Sequence, residues 1–108
     1  MTGKQQVFGV FYRDYAHDVT ISSANPESLL AARIPALADR LLVDADNFLG
    51  IVDRNDVILQ LYLDDDGAVV LELLYPGSDR IVSSRLPRAE TMAWLEDLPA
   101  VFDEAMLP

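Results

Sequence analysis

No cysteine occurs in this 108-residue chain. That absence excludes disulfides, thiolate nucleophiles and thiolate-ligated zinc or iron–sulfur centres, and it fits a reducing cytoplasm. Histidine is represented by His17 alone. The five glycines stand isolated, so there is no phosphate-cradling loop and no dinucleotide fingerprint. Zinc-ligand spacing and a nucleophile elbow are likewise missing, and no cofactor is expected. Uncharged runs fall far short of the ~20 apolar residues that a membrane span requires. The opening stretch, MTGKQQVFGVFYRDY, has one lysine and no long apolar block, which does not read as a secretory signal. Basic residues are scarce, with eight Lys and Arg against 18 Asp and Glu and a net charge of −10. Such a chain repels phosphate backbones and anionic head groups, so neither nucleic acid nor membrane is an expected partner.

What is present is apolar and rich in strand formers. Half of the residues are hydrophobic, enough for one domain over residues 1–108 with a core that needs no covalent staple. QQVFGVFY (Gln5–Tyr12) reads as a strand, and Val19–Ser22 as a short partner. In NPESLL, Asn25 is a helix cap, Pro26 suits the first helical position and Glu27 lies where the helix dipole favours an acid. A helix is therefore predicted to start there and to end or kink near Arg33 or Ile34, ahead of Pro35. A second helical piece, Ala36–Leu42, places Leu37 and Leu41 on one side.

A meander follows over residues 48–84. FLGIV (Phe48–Val52), VILQLYL (Val57–Leu63) and AVVLELLY (Ala68–Tyr75) are separated only by DRND and DDDG, which implies antiparallel hairpins. Arg80–Ser84 is a fourth strand. Pro87 then opens a helix, Arg88–Leu98, and Pro99 precedes a short one, Ala100–Met106. The expected fold is α+β: a four- to five-stranded, mainly antiparallel sheet packed with helices from both ends of the chain.

The register of the central hairpin follows from its apolar pattern. Leu59, Leu61 and Leu63 share one strand face, as do Val69, Leu71 and Leu73. Bringing both sets to one side requires an odd-numbered loop. Asp65-Asp66-Gly67 supplies it, pairing Leu63 with Val69 and placing glycine at the left-handed position. DDDG is then a solvated turn; it lacks the alternating ligands of a calcium loop, and DADN (Asp44–Asn47) lacks the glycine that such a loop needs.

The second side of the same hairpin is less polar than a wet face should be. It carries Ile58, Gln60, Tyr62, Val70, Glu72 and Leu74, with Leu49 and Ile51 expected beside them. Covering such side chains is worth roughly 1.5–3 kcal/mol each, enough to hold a dimer. Ile58, Tyr62, Val70 and Leu74 are thus candidate interface residues. Trp94 joins them because it lies off the Met92–Leu95 side of its helix and Trp favours interfaces.

Candidate chemistry is thin. His17, with Asp14 and Asp18 nearby, has the makings of a general base. Glu72 sits mid-strand opposite Gln60, and the cross-strand pairing accounts for both; enclosed beside Tyr62, it would be a site candidate. Arg80, Arg85 and Arg88 form the one basic segment and are candidate anion contacts, the alternative being that they pair with surplus acids. In size, charge and layout the chain resembles small acidic bacterial adaptors, namely immunity proteins and dimeric secretion chaperones, a resemblance that carries no residue roles. The expectation is a non-catalytic, cytoplasmic protein-interaction module, homodimeric or binding a protein with a basic surface. Two other readings stand beside it: a small-molecule binder or enzyme with a pocket around Glu72, Tyr62 or His17, and a nucleic-acid mimic that occupies a basic protein.

Overall fold

A computed structural model describes residues 6–108. Within them the chain forms one antiparallel sheet with seven strands and two helices. The strands are β1 (Val7–Asp14), β2 (Val19–Ile21), β3 (Glu27–Leu30), β4 (Phe48–Val52), β5 (Ile58–Leu63), β6 (Val69–Leu74) and β7 (Ile81–Leu86). The helices are α1 (Ile34–Leu41) and α2 (Arg88–Leu95). Spatial order is β2-β1-β4-β5-β6-β7, with β3 also paired to β1. The class and the meander agree with expectation. The sheet is wider than four or five strands, and neither helix comes from the chain's beginning.

The central hairpin has the register that its apolar pattern demands. Leu63 pairs with Val69, Leu61 with Leu71 and Gln60 with Glu72. Asp64 closes the turn: its amide donates to the Ala68 carbonyl at 2.9 Å, and its carboxylate accepts from the amides of Asp66 and Ala68. Gly67 takes φ +82°, a conformation in which a Cβ is strained.

The predicted helix at NPESLL is instead an edge strand. Tyr12 pairs with Ile21 while Val10 pairs with Glu27, so β2 and β3 follow the same edge of β1 with four residues looped out between them. Asn25 and Pro26 lie in that excursion, where a residue without an N–H costs the ladder nothing. Local capping chemistry favoured a helix, but the free edge of β1 offers β3 a complete set of partners. Pro35 also behaves differently from expectation. It sits in the first turn of α1, where its missing donor is harmless, and opens that helix rather than ending a previous one. At the other end of the chain, α2 stops at Leu95, and only Glu104–Met106 of the expected last helix is helical, as a 3-10 turn.

Both helices lie on one face of the sheet. Ile34, Ala38 and Leu41 of α1 and Thr91 and Leu95 of α2 are buried, at the helical i, i+4, i+7 spacing. They meet Phe8 and Val10 of β1, Leu49 and Ile51 of β4, Leu59 and Leu61 of β5, and Leu71 and Leu73 of β6. Leu49 and Ile51 therefore lie on the helix side rather than, as expected, beside Ile58 and Tyr62, because Leu49 pairs with Leu61 and Ile51 with Leu59. Three polar side chains hold the ends of this layer. Asn47, 1 % exposed, donates to the Leu41 carbonyl and accepts from the Tyr15 amide, both at 2.9 Å, joining the end of α1 to the end of β1. Asp53, 4 % exposed, accepts from the amides of Asn55, Val57 and Phe102. The last bond ties the C-terminal segment to the β4–β5 turn and seats Phe102 on Phe8, ring centroids 5.3 Å apart. Arg88 donates to the carbonyls of Leu42 and Asp39, satisfying acceptors that the end of α1 leaves open.

Candidate functional site

Antiparallel pairing fixes what the opposite face of the sheet presents. Residues in direct register share a face, so three cross-strand rows are set by the ladder. One runs Gly9, Val52, Ile58, Leu74, Ile81. A second runs Phe11, Gly50, Gln60, Glu72, Ser83, and a third Arg13, Phe48, Tyr62, Val70, Arg85. Two largely apolar rows therefore flank a polar one. None of the described helices covers this face. Ile58, Tyr62, Val70 and Leu74 are half-buried, each shielded by its neighbours rather than by a second layer, and Ile81 is 55 % exposed.

One close approach shapes the middle row. A Cβ built on Gly50 would sit 2.0 Å from the Phe11 ring, so the ring lies flat across the glycine. Phe11 is only 6 % exposed as a result, although it points away from the core. The glycine's missing side chain and the phenylalanine's large one are a single feature.

Glu72 does face Gln60 in register, but its hydrogen bond comes from elsewhere. The Tyr62 hydroxyl donates to Glu72 Oε2 at 2.9 Å, diagonally across the hairpin. That bond holds the phenol proton above the ordinary value of 10.0, with burial and the carboxylate's charge adding to it. The pair sits on an open sheet surface; three concavities lined by described residues contain neither of them, nor His17.

The other candidates are placed apart. Trp94 lies on the helix side, half-buried against the core, with its indole N–H donating to the Met106 carbonyl at 3.3 Å. It is not on the surface that carries Ile58, Tyr62, Val70 and Leu74. Arg80 pairs with Glu104, Arg85 with Asp64 and Asp66, and Arg88 with Asp39. These three arginines each have an acidic partner and do not converge. His17 is exposed, its Nδ1 2.9 Å from Asp14 Oδ2. Asp14 is buried at the end of β1, with Arg40 Nε at 3.5 Å. Burial pushes the Asp14 carboxyl up, but the side-chain and backbone hydrogen bonds of His17, with attraction to His17 and Arg40, outweigh it and leave the group below 3.8.

A feature with no counterpart in the sequence reading is a cleft of about 290 Å³ between α1 and the β1–β3 edge. Arg33, Ala36, Leu37 and Arg40 form its helical wall, at the 33, 36, 37, 40 spacing of one helix stripe, and Val10, Tyr12, Glu27 and Leu29 form its sheet wall. The sequence signal existed in that stripe, but reading Glu27–Leu30 as helix removed the opposite wall.

Among the described residues no three His, Asp or Glu side chains cluster as metal ligands, and no helix is long and apolar enough to cross a membrane. Comparison of the chain with protein-family models, with curated proteins and with solved structures returns no match.

Proposed function

We propose that this protein is a non-catalytic protein-interaction module, of the small acidic adaptor kind, whose contact surface is the helix-free face of its sheet and whose first partner is a second copy of itself. The observation that carries this reading is the double apolar row on a face that no described helix covers. Five strands at ~4.8 Å spacing and about six residues at ~3.3 Å rise span roughly 450–500 Å². A stable interface takes about 800 Å² of accessible surface per partner, which this face approaches because its ruffled side chains expose more area than the flat footprint.

Charge favours a like partner over a basic one. Of the 18 acids, the three rows carry only Glu72, and they carry Arg13 and Arg85 at their two ends. A surface built for a basic protein would concentrate carboxylates at the contact. Here they are kept to turns and to the helix side, so two copies can meet with their mutual repulsion confined to the periphery.

Light scattering across a salt series tests this. The expected result is a mass of twice 12.0 kDa at micromolar concentration, with dimerisation strengthening as salt screens the repulsion between two acidic chains. A monomer at tens of micromolar in high salt would sink the proposal. Weakening by salt would point instead to a partner held by charge.

A further inference from the structure

The cleft between α1 and β3 is a second surface, on the helix side of the sheet and independent of the face assigned to dimerisation. Three observations set it apart from a packing defect. Tyr12 is 9 % exposed and lines the cleft, yet its hydroxyl has no hydrogen-bond partner among the described residues and is not sealed from solvent. The ring is packed into the core while its hydroxyl stays open to the cleft. Arg33 and Glu27, on opposite walls, have no ion-pair partner among the described residues. Arg33 is exposed, and its lack of a carboxylate partner among the described residues leaves it free to meet a ligand. Arg40 closes the same stripe, its guanidinium 6.0 Å from the Tyr12 ring centroid and its Nε 3.5 Å from Asp14, which leaves its other N–H groups for a ligand.

We infer that this cleft binds a free α-amino acid with an apolar side chain. Two guanidinium groups and a phenol hydroxyl are the donor set for one carboxylate, which arginine grips with paired N–H groups. Glu27 on the facing strand accepts an ammonium group and repels a dianion such as phosphate. Val10, Leu29 and Leu37 supply an apolar wall. A volume near 290 Å³ lies at the lower end of small-ligand sites, which run from about 300 Å³ upward.

The probe is L-leucine, titrated into the ¹⁵N-labelled protein and followed by NMR. Two analogues accompany it: leucinamide, which lacks the carboxylate, and 4-methylpentanoate, which lacks the ammonium. The expected result is saturable shifts in β1, β3 and α1 with leucine, and much weaker binding of both analogues. Arg33→Gln, at an exposed position that leaves the core intact, is expected to weaken leucine binding roughly tenfold or more, as loss of a charge-assisted bond does. Tyr12→Phe, which removes only the hydroxyl, is expected to weaken it less. No saturable shift with leucine overturns the assignment. So do shifts centred outside these three elements, equal binding of leucine and either analogue, or leucine binding unchanged by Arg33→Gln.

Discussion

The two sides of the meander both carry large apolar residues, eight on β4–β6 toward the helices and six away from them, and they meet different fates. Leu49, Ile51, Leu59, Leu61, Leu71 and Leu73 face the helices and are fully buried. Phe48, Val52, Ile58, Tyr62, Val70 and Leu74 face away and are only half-buried. The helix side is an unbroken aliphatic layer, mostly leucine. The other side is split by Gln60 and Glu72, holds Phe48 and Tyr62, and is bordered by Arg13 and Arg85. A modest difference in apolar content therefore does not by itself account for the contrast. Continuity does: an aliphatic layer with no polar interruption can be sealed by helices without stranding a donor or acceptor, whereas Glu72 under a helix would need a buried partner.

Truncation is the strongest way to test this difference. Leu61→Ala on the sealed side is expected to cost about 2–5 kcal/mol in a denaturant melt, because the cavity cannot collapse. Val70→Ala, paired with Arg85 on the open side, is expected to cost well under half of that in the monomer. Equal losses would mean that both sides are core.

Next comes Asp53, which organises the sealed side from its edge. Asp53→Ala leaves three amides without their acceptor, and a loss of about 3 kcal/mol is expected. Phe102 resonances should move with it, since that contact spans 49 residues. A smaller effect is expected from Gly50→Ala, which forces the Phe11 ring off the sheet and costs about 1–3 kcal/mol by overpacking. Phe11→Leu in the same chain should recover part of that loss, a coupling that a double-mutant cycle reads directly.

Charging the open side separates folding from association. Ile58→Glu is expected to halve the mass seen by light scattering while leaving the circular dichroism spectrum and the melt nearly unchanged. Unfolding of this variant would assign the open side to the monomer's own core. Smallest is an acid-limb effect at the end of β1. A carboxyl held below its unfolded value stabilises the fold above about pH 4, and that contribution disappears as pH falls through the lowered value. Asp14→Asn should therefore flatten the dependence of stability on pH below 4 and leave its shape above pH 5 unchanged.

The structure draws a line between local and long-range information. The β5–β6 register, the odd loop and the left-handed glycine were all legible, because one hairpin's pattern and turn are mutually constraining over 19 residues, Val57–Tyr75. The edge strand β3 was not. Asn25-Pro26-Glu27 satisfies helix-capping rules locally, and only β1, seventeen residues away from Glu27 at Val10, outbids them. Among the site residues, Ile58, Tyr62, Val70 and Leu74 were read together because strand alternation places them together. Trp94 joined them on helix-wheel position and residue type, and the C-terminal segment that receives its N–H has no local signature. Nor does the phenol of Tyr12 or the unpaired Arg33, since a missing partner is a property of space, not of spacing.

The amino-acid order alone determined an acidic, cysteine-free α+β chain built on an antiparallel meander with two apolar sides. Periodicity of two and turn chemistry are backbone properties, and they act over a few residues. Which side the helices seal, where the N-terminal segment pairs, and that a cleft opens between α1 and β3 were decided only in three dimensions. Those outcomes depend on contacts between segments tens of residues apart, whose closure entropy and packing no local window contains.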